Sequence, residues 1–551
     1  MKTDKDMQRA KMTGWFDPKV MSRTAIMLAT ANIFGRHSDT RLIEALSNQP
    51  QSTFDYSPSD GDFWLDYVAD IGDGWNSTHT VAQAIAREQL AVSSHDGPEV
   101  MTQSGSVLVF GGDEVYPYPS RDRYALCTEN PYRSAFAGRH ARPDLFAIPG
   151  NHDWYDSLVA FSRCFCRPER SFAGCRTRQT RSYFALRLPA NWWLLGIDLQ
   201  LGADLDEPQV RYFQGVAREL DETARIILCA PEPQWIYEAM YPGHASYESS
   251  QLKFFEREIL NREIKVFIGG DLHFYKRHEN AAGVQKIVSG GGGAFLHPTH
   301  QPETKRIDEG FEQQAEYPSA EQSRRLAWRN LRFPLLNPRA AWLPALVYAL
   351  SAWFASASLQ AEELTSFGSA FHAALVGAIR DPVNGIWLLS ITAGLIFFTD
   401  THERWYRVIG GATHALLHLF AAFVLAWTSL LITVHVLGMS FGSVLQLLAS
   451  GALTFVAGGV VGSFIVGVYL LISLQVFGRH STEAFSSLRV QDWKHWLRLR
   501  VDANGDLTIF VIAIDRVVKR WQRADQGHEE SWESVDPRAT PPRLIDRVSV
   551  R

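Results

Sequence analysis

Cysteine is scarce in this chain: five residues in 551, at Cys127, Cys164, Cys166, Cys175 and Cys229. An odd number without regular spacing supplies no disulfide framework and fits a reducing compartment. Cys164, Cys166 and the distant Cys175 make a poor zinc spacing, so ordinary thiols are expected. An excess of one charge is lacking as well. The 54 Lys and Arg against 59 Asp and Glu leave a net charge of −5, which removes any general electrostatic reason to bind nucleic acid. Residues 1–20 carry Lys2, Lys5, Arg9, Lys11 and Lys19 but no continuous apolar core and no small-residue cleavage site, so they do not read as a secretory signal. What is present is the makeup of an ordered protein, 46% hydrophobic with 17 Trp, and too long for one ordinary domain.

The composition changes along the chain. Residues 1–60 read as a helical extension. Residues 61–302 alternate short apolar runs with glycine turns and polar helices, the pattern of an α/β sheet. The expected strands are Phe63–Ala69, Ser106–Phe110, Leu145–Ile148, Tyr183–Leu186, Trp192–Ile197, Ile226–Leu228, Val266–Ile268 and Gln285–Val288. Residues 303–340 form a basic connector closing with Arg324, Arg325, Arg329, Arg332 and Arg339. Residues 341–477 hold four expected membrane spans, at 341–359, 382–399, 412–437 and 445–477. Residues 478–523 contain a β-hairpin signal, two alternating runs around Asn504-Gly505. Residues 524–551 are polar and read as a mobile tail.

Basic residues alternate between the loops. Five Arg precede the first span, Arg380 alone follows it, Arg404 and Arg407 follow the second, none follow the third, and Arg479, Arg489, Lys494, Arg498 and Arg500 follow the fourth. This is the pattern of four spans with both flanks in the cytoplasm, in a bacterial inner membrane. A re-entrant segment near Phe367–Ile379 would change the count. His414 and His418 share one helix face in the third span, where interhelical hydrogen bonding is the ordinary role and a haem or metal site the alternative.

Three strand ends carry chemistry. Gly111-Gly112-Asp113, Gly150-Asn151-His152-Asp153 and Gly269-Gly270-Asp271-Leu272-His273 each follow an apolar run, and Asp70 follows another. Asp, Asn and His at such ends suit metal-assisted phosphoester hydrolysis. Each also has a plain structural reading. Asp70 and Asp73 could cap a turn, and Asp113 could cap a helix. The order and placement together resemble the calcineurin-like metallophosphoesterase superfamily over about residues 61–302. The sequences GDGWNST, IPGNHDWYD and SGGGGAFLHPTH are similar to those of a bacterial membrane-anchored branch of it.

The resemblance implies a β-sandwich flanked by helices (αββα), two divalent metals, and a metal-activated water as nucleophile. It implies that Asp70 and His273 bind the first metal, that Asp113 bridges both, that Asn151 binds the second, and that His152 contacts the phosphate and assists the leaving group. Three expected imidazoles are missing. The first motif reads Asp70-Ile71-Gly72, the strand Ile226–Leu228 leads to Cys229-Ala230-Pro231-Glu232, and Asp271 stands where a His is usual. The candidate replacements are Asp73 or His79, Glu232, and Asp271 itself. Such oxygens favour Mn, Mg or Fe over Zn.

Other candidates lie nearby. Arg176, Arg178 and Arg181 could fork onto a phosphate or form a solvated loop. Gly290 to Gly293 lack the Lys-Ser/Thr of a P-loop and suit close backbone approach to the site. His297 and His300 follow them and could reach the metals or pack the loop. The expected substrate is a phosphorylated small molecule or a lipid-linked phosphate. The other readings are a degenerate fold that senses a phosphorylated ligand and a transporter with a regulatory head.

Overall fold

The computed structural model describes residues 9–30, 53–59, 61–94, 97–199, 205–243, 250–357, 359–399, 403–524 and 531–551. About half of the expected helical extension at 1–60 therefore lies outside the described residues. Within it, Pro18–Thr30 is helical and Phe54–Asp55 is a short strand. The chain divides into two compact units. The first takes Met1–Thr13, Ser22–Ser323 and Arg489–Arg551, and the second takes Gly14–Met21 and Arg324–Leu488.

The first unit is built on two sheets. We number its main strands β1 (Phe63–Val68), β2 (Val107–Phe110), β3 (Asp144–Ala147), β4 (Cys175–Thr177), β5 (Phe184–Arg187), β6 (Trp192–Gly196), β7 (Arg225–Ala230), β8 (Ile264–Gly269), β9 (Tyr275–Glu279), β10 (Gln285–Ser289), β11 (Phe311–Tyr317), β12 (Lys494–Val501), β13 (Leu507–Ile514) and β14 (Arg543–Val550). One sheet runs β14-β13-β12-β1-β2-β3-β4. The other runs β5-β6-β7-β8-β10-β9-β11, with a two-residue strand at each edge. β1, β2 and β3 are parallel, as are β6, β7, β8 and β10.

Leu65, Val109, Phe146, Leu499 and Ile509 of the first sheet pack with Leu194, Ile227, Ile268 and Ile287 of the second in one dry core. Helices cover the outer faces. Val81 and Ile85 pack on Phe110 and Trp496, and Phe213 and Phe255 pack among Ile226, Leu228 and Phe267. A sandwich of two sheets between helices matches the expected architecture, and all eight expected strands form within a residue or two of the expected bounds.

The C-terminal expectations need correction. The hairpin forms as read, but it is not a separate segment. β12 pairs antiparallel with β1, placing Leu497 opposite Tyr67, and so completes the front sheet. Nor is 524–551 a free tail: β14 pairs along β13 from Leu507 to Ala513. Val548 and Val550 join the core between the sheets, whereas Leu544, past a bulge, packs on the helix-covered face, a weak pattern beside the strand's charged residues. The connector is also partly sheet, since β11 pairs with β9.

The second unit is helical: α1 (Trp342–Ala357), α2 (Phe367–Arg380), α3 (Pro382–Phe398), α4 (Arg404–Leu431) and α5 (Val444–Phe477). Two stretches are long and apolar enough to cross a membrane, Arg404–Val436 and Val444–Phe477, or three if α2 and α3 count as one bent span. Four full spans do not appear among the described residues. α1 has 16 residues and α3 has 17, so at 1.5 Å per residue each covers only about 24–26 Å of a core near 30 Å. α2 and α3 meet at 98° because Pro382 restarts the helix and Asp381 caps it, accepting from the Val383 amide at 3.0 Å. Glycines let α1 and α5 approach closely. A Cβ on Gly458 would stand 2.6 Å from the Tyr348 side chain, and one on Gly462 would stand 2.5 Å from Pro344.

Candidate metal centre

The parallel strands point their carboxyl ends to one place. Asp70, Asp113 and Asn151 follow β1, β2 and β3; Glu232, Asp271 and Gly290 follow β7, β8 and β10. Ligand sites of open α/β sheets form at such ends. The turns are sharp, and Asp70, Asp113 and Asp271 all take left-handed backbone angles, with φ of 59°, 54° and 64°. Asp tolerates that region better than most residues, and three such residues at one site mark a backbone held for a purpose. Glycine makes the crowding feasible: a Cβ on Gly150 would lie 2.1 Å from the Asp113 carboxylate, and one on Gly290 would lie 2.5 Å from that of Asp70. The four-glycine run is therefore a close backbone approach, with the Gly292 amide donating to the Ala69 carbonyl at 2.9 Å.

At the centre stands a residue that the motif reading missed. The Tyr116 hydroxyl lies 2.9 Å from Asp70 Oδ1, 3.0 Å from Asp113 Oδ2 and 3.0 Å from His273 Nε2. His273 holds its Nδ1 2.6 Å from the Phe295 carbonyl. That carbonyl can only accept, so Nδ1 carries the hydrogen and Nε2 presents a lone pair, the tautomer of a metal ligand. Three acceptors thus face one hydroxyl proton. The spacing Asp113-x-x-Tyr116, in the same turn as the glycines, was the available signal.

His152 is anchored beside them. Its amide donates to Asp113 Oδ1 at 2.9 Å, and its Nδ1 donates to the Pro117 carbonyl at 2.9 Å. Burial pushes its pKa down to about 4, so the ring is neutral near pH 7 with an unprotonated Nε2. It can therefore donate to a leaving oxygen only after taking up a proton. The neighbouring Asn151 has a buried Oδ1 with no hydrogen-bond partner.

Negative charge is concentrated here. Burial, then the charge of Asp271, pushes the Asp70 carboxyl far up; burial, then Asp70, does the same to Asp113. Burial, then Asp271, raises Glu232 to about 8. Asp271 accepts hydrogen bonds from the Tyr237 hydroxyl at its carboxylate, and its amide donates to Asp70 Oδ2 at 2.9 Å. Lys494 from β12 is a buried cation nearby, with its Nζ donating to the Ala294 carbonyl at 2.5 Å. Carboxylates that push one another up in this way are a site for positive charge.

No protein-family model matches the sequence, and no curated protein does. Among solved structures the chain is similar to GAP50, the anchor in the inner membrane complex of Plasmodium, at 12% identity and a TM-score of 0.34, over 46% of this chain and 77% of that one. It is similar to the purple acid phosphatase PPD1 from yellow lupin (Lupinus luteus) seeds at 11% identity and a TM-score of 0.27, over 45% of this chain and 46% of that one. It is similar to PhoD at 10% identity and a TM-score of 0.32, over 47% and 63%. The chain thus spans less than two thirds of the second and third of these proteins.

Among the described residues, no group of three or more His, Cys, Asp or Glu is already spaced around an ion. The reason is visible: Asp70, Asp113 and His273 surround the Tyr116 oxygen. The chemistry of these donors nonetheless suits hard divalent ions: carboxylates of Asp70 and Asp113, the Tyr116 phenol, the His273 imidazole and the orphaned Asn151 oxygen.

Several sequence candidates do not gather there. His79 lies on the helix Trp75–Ile85, its Nδ1 donating to the Pro131 carbonyl and its ring against Trp75 and Trp521. Asp73 accepts from the Thr13 amide at 2.8 Å and stays a turn residue, though its Oδ2 has no partner. Arg176 pairs with Asp144 at 2.8 Å, and Arg178 reaches the same carboxylate at 3.5 Å. Asp144 begins β3, whereas Asn151 follows its end, so both arginines sit at the far end of the strand. Arg181 lies over the Tyr212 ring at 5.6 Å. His297 does join the site: it stacks on His273 at 4.0 Å, and its Nδ1 accepts from the His273 amide at 3.3 Å. His300 lies 2.8 Å from the Ser323 hydroxyl and packs the loop. The cysteines are free thiols.

Proposed function

We propose that this chain is a membrane-anchored, metal-dependent phosphoester hydrolase. The observation that carries this reading is the convergence of Asp70, Asp113 and the bare His273 Nε2 on one point, with the unpaired Asn151 oxygen beside it. Asp70, Asp113, His273 and Tyr116 would hold one metal. Asp113, Asn151, Glu232 and Asp271 would hold another, an oxygen set that favours Mn, Mg or Fe. When bound, such ions supply Lewis acidity and lower the pKa of water.

The chain's own residues do the rest. Asp113 fixes the position of His152 through the backbone amide. The Pro117 carbonyl orients the imidazole so that Nε2 is its reactive atom. A phosphate brought beside that ring favours its protonated form, which can then donate to the departing oxygen. The buried Tyr116 ring and the half-buried Tyr155 ring contact His152, with centroids at 4.5 and 4.9 Å, and hold the imidazole from two sides.

The strands that flank the helical segment in sequence belong to one unit, which requires an even number of membrane crossings. The two long helices give two, and α1 with the bent α2–α3 pair would bring the number to four. The basic loops favour a cytoplasmic catalytic unit in a bacterial inner membrane. The substrate would be a phosphorylated small molecule or a lipid-linked phosphate.

The test is hydrolysis of aryl phosphate mono- and diesters by the full-length detergent-purified protein with Mn²⁺, Mg²⁺, Fe²⁺ or Zn²⁺, beside Asp113→Asn. Metal-dependent turnover that disappears in the variant supports the proposal. A second reading has its own observation: the Tyr116 hydroxyl stands where an ion would be. It describes a phosphate-ligand sensor without turnover. Absence of hydrolysis with every metal, together with retained binding of inorganic phosphate, would favour it.

A further inference from the structure

Residues 324–336 leave one face without a partner. The helix Ala320–Ala327, a 3₁₀ turn at Trp328–Arg332 and the helix Phe333–Leu336 follow one another without a break. Leu326, Ala327, Asn330 and Phe333 are buried on one side. Arg324, Trp328, Leu331, Arg332 and Leu335 recur every three or four residues and are exposed on the other, the spacing of a single helical face. That face carries large apolar groups in the open: Trp328 is 60% exposed and Leu335 81%. Its cations are free. Arg339 pairs with Asp17 at 2.7 Å, but Arg324, Arg329 and Arg332 are exposed and have no acidic partner among the described residues.

Helix α5 fixes the depth of this face. The Gln475 side-chain amide donates to the Arg324 carbonyl at 2.9 Å. A Cβ on Gly467 would lie 2.2 Å from the Asn330 carbonyl oxygen. Residues 324–330 therefore run beside 467–475 of α5, just past the level where α1 packs on Gly458 and Gly462. From Val444 to Gly467 α5 rises about 35 Å, already enough for a hydrocarbon core near 30 Å. The exposed face thus falls in the interfacial layer, where Trp is at home and arginine stems lie along apolar surface with their heads in the polar region.

We propose that this face docks on the anionic phospholipid headgroups of the membrane that the long helices cross. Trp328, Leu331 and Leu335 enter the interfacial layer, and Arg324, Arg329 and Arg332 meet the phosphates. The inference rests on the membrane reading of α4 and α5, not on hydrolysis. Three unpaired cations call for anions, and the exposed Trp and Leu call for an apolar medium. An anionic lipid surface supplies both side by side, whereas a nucleic acid supplies the first alone.

The test places a photoreactive residue at two positions of the full-length protein, Leu335→p-benzoylphenylalanine on this face and Val456→p-benzoylphenylalanine on the exposed side of α5. Each is illuminated in nanodiscs of equal phosphatidylglycerol and phosphatidylcholine with matched chains, and lipid adducts are identified by mass spectrometry. Position 335 is expected to favour the anionic lipid by at least about fivefold, the scale of one arginine at a charged surface. Position 456 should take both lipids equally. Replacing Arg324, Arg329 and Arg332 together by Gln should abolish the preference at 335, and replacing all three by Lys should keep most of it. Lipid adducts at 456 with none at 335 would overturn the docking face and leave the membrane anchoring intact; no lipid adducts at either would overturn both. Equal labelling by the two lipids at 335, or a preference that survives the triple Gln change, would also overturn the proposal.

Discussion

The hydroxyl of Tyr116 stands 3.0 Å from Nε2 of His273, on the lone pair that the Phe295 carbonyl has left exposed by binding the other ring nitrogen. The same hydroxyl contacts Asp70 and Asp113, so one phenol touches three of the residues proposed to hold the first metal. In the proposed metal site this hard donor would join the ligand set. Tyr116→Phe is therefore expected to weaken metal binding roughly 10–100-fold, the scale of losing one supporting group at a metal site. Metal content after dialysis and titration calorimetry with Mn²⁺ measure it. Tighter binding in the variant would instead identify Tyr116 as a plug.

Arg176→Ala should leave hydrolysis within about twofold of the parent. Its guanidinium is mostly exposed and pairs with Asp144 at the wrong end of β3 for phosphate contact. The stability cost should be about 1 kcal/mol or less, as for other exposed pairs. A large fall in kcat/KM would return Arg176 to the site.

Arg498→Ala should cost far more. Arg498 lies on β12 with no exposed surface, and its Nε stands 2.7 Å from Asp66 of β1. Thr102 and the Ile85 carbonyl take its other donors at 3.1 Å. Removing one partner leaves Asp66 buried and unpaired, a loss of roughly 3–5 kcal/mol. Thermal unfolding of the full chain in detergent should show it, and Asp66→Asn in the same background should recover part of the loss.

The contribution of the buried histidines away from the carboxylate cluster to stability should fall as the pH drops below about 6.5, against the raised carboxyls Asp70, Asp113 and Glu232, which act in the opposite direction. Burial lowers the pKa of His79 to about 4, and that of His495 to about 3. Each is neutral when folded but takes a proton when unfolded, so between pH 6.5 and 4 the unfolded state binds more protons at these groups and their contribution decreases with acidity. The limiting slope is about 1.4 kcal/mol per pH unit per histidine. The parent should lose stability relative to His79→Gln as the pH falls through that window; a difference that does not vary with pH would mean that His79 is already protonated in the folded protein.

Deleting 489–551 should unfold the front unit rather than trim it. The deletion removes β12, β13 and β14, along with Asp546, which accepts from Tyr275 and Arg277 at 2.8 Å, and Asp515, which accepts from Tyr317 at 2.7 Å. Limited proteolysis should show rapid loss of the 61–323 fragment in the deleted chain and protection in the full one.

The strands and motif carboxylates were legible because each rests on local pattern: a short apolar run, a glycine turn, then a polar residue. Asp113, Asn151 and Asp271 stand in that pattern, whereas Asp70, with no glycine before it, is read from the company of the other three motifs. Tyr116 was missed because a tyrosine three residues past a turn reads as packing until the fold brings Asp70 and His273 to it across the sandwich. The arginines misled in the opposite way. Their basic run is local, but whether β4 offers them to one end of β3 or the other is a matter of register, which the sequence does not display. β14 was hidden for a similar reason, since an edge strand with one buried face carries as many charges as a tail does. The membrane helices were found by hydropathy, yet the break at Asp381-Pro382 decides whether one apolar stretch crosses or turns back.

The position of β12 beside β1 has a consequence for how the protein is made. A ribosome releases β1 early, but its partner strand emerges only after about 430 more residues, roughly 20–90 s later at 5–20 residues per second. Throughout that interval one edge of β1 is open, with its backbone groups available to any other strand. Nascent front units are thus exposed to mispairing until β12 emerges, and cells that make this protein in quantity should depend on chaperones that shield an unfinished sheet.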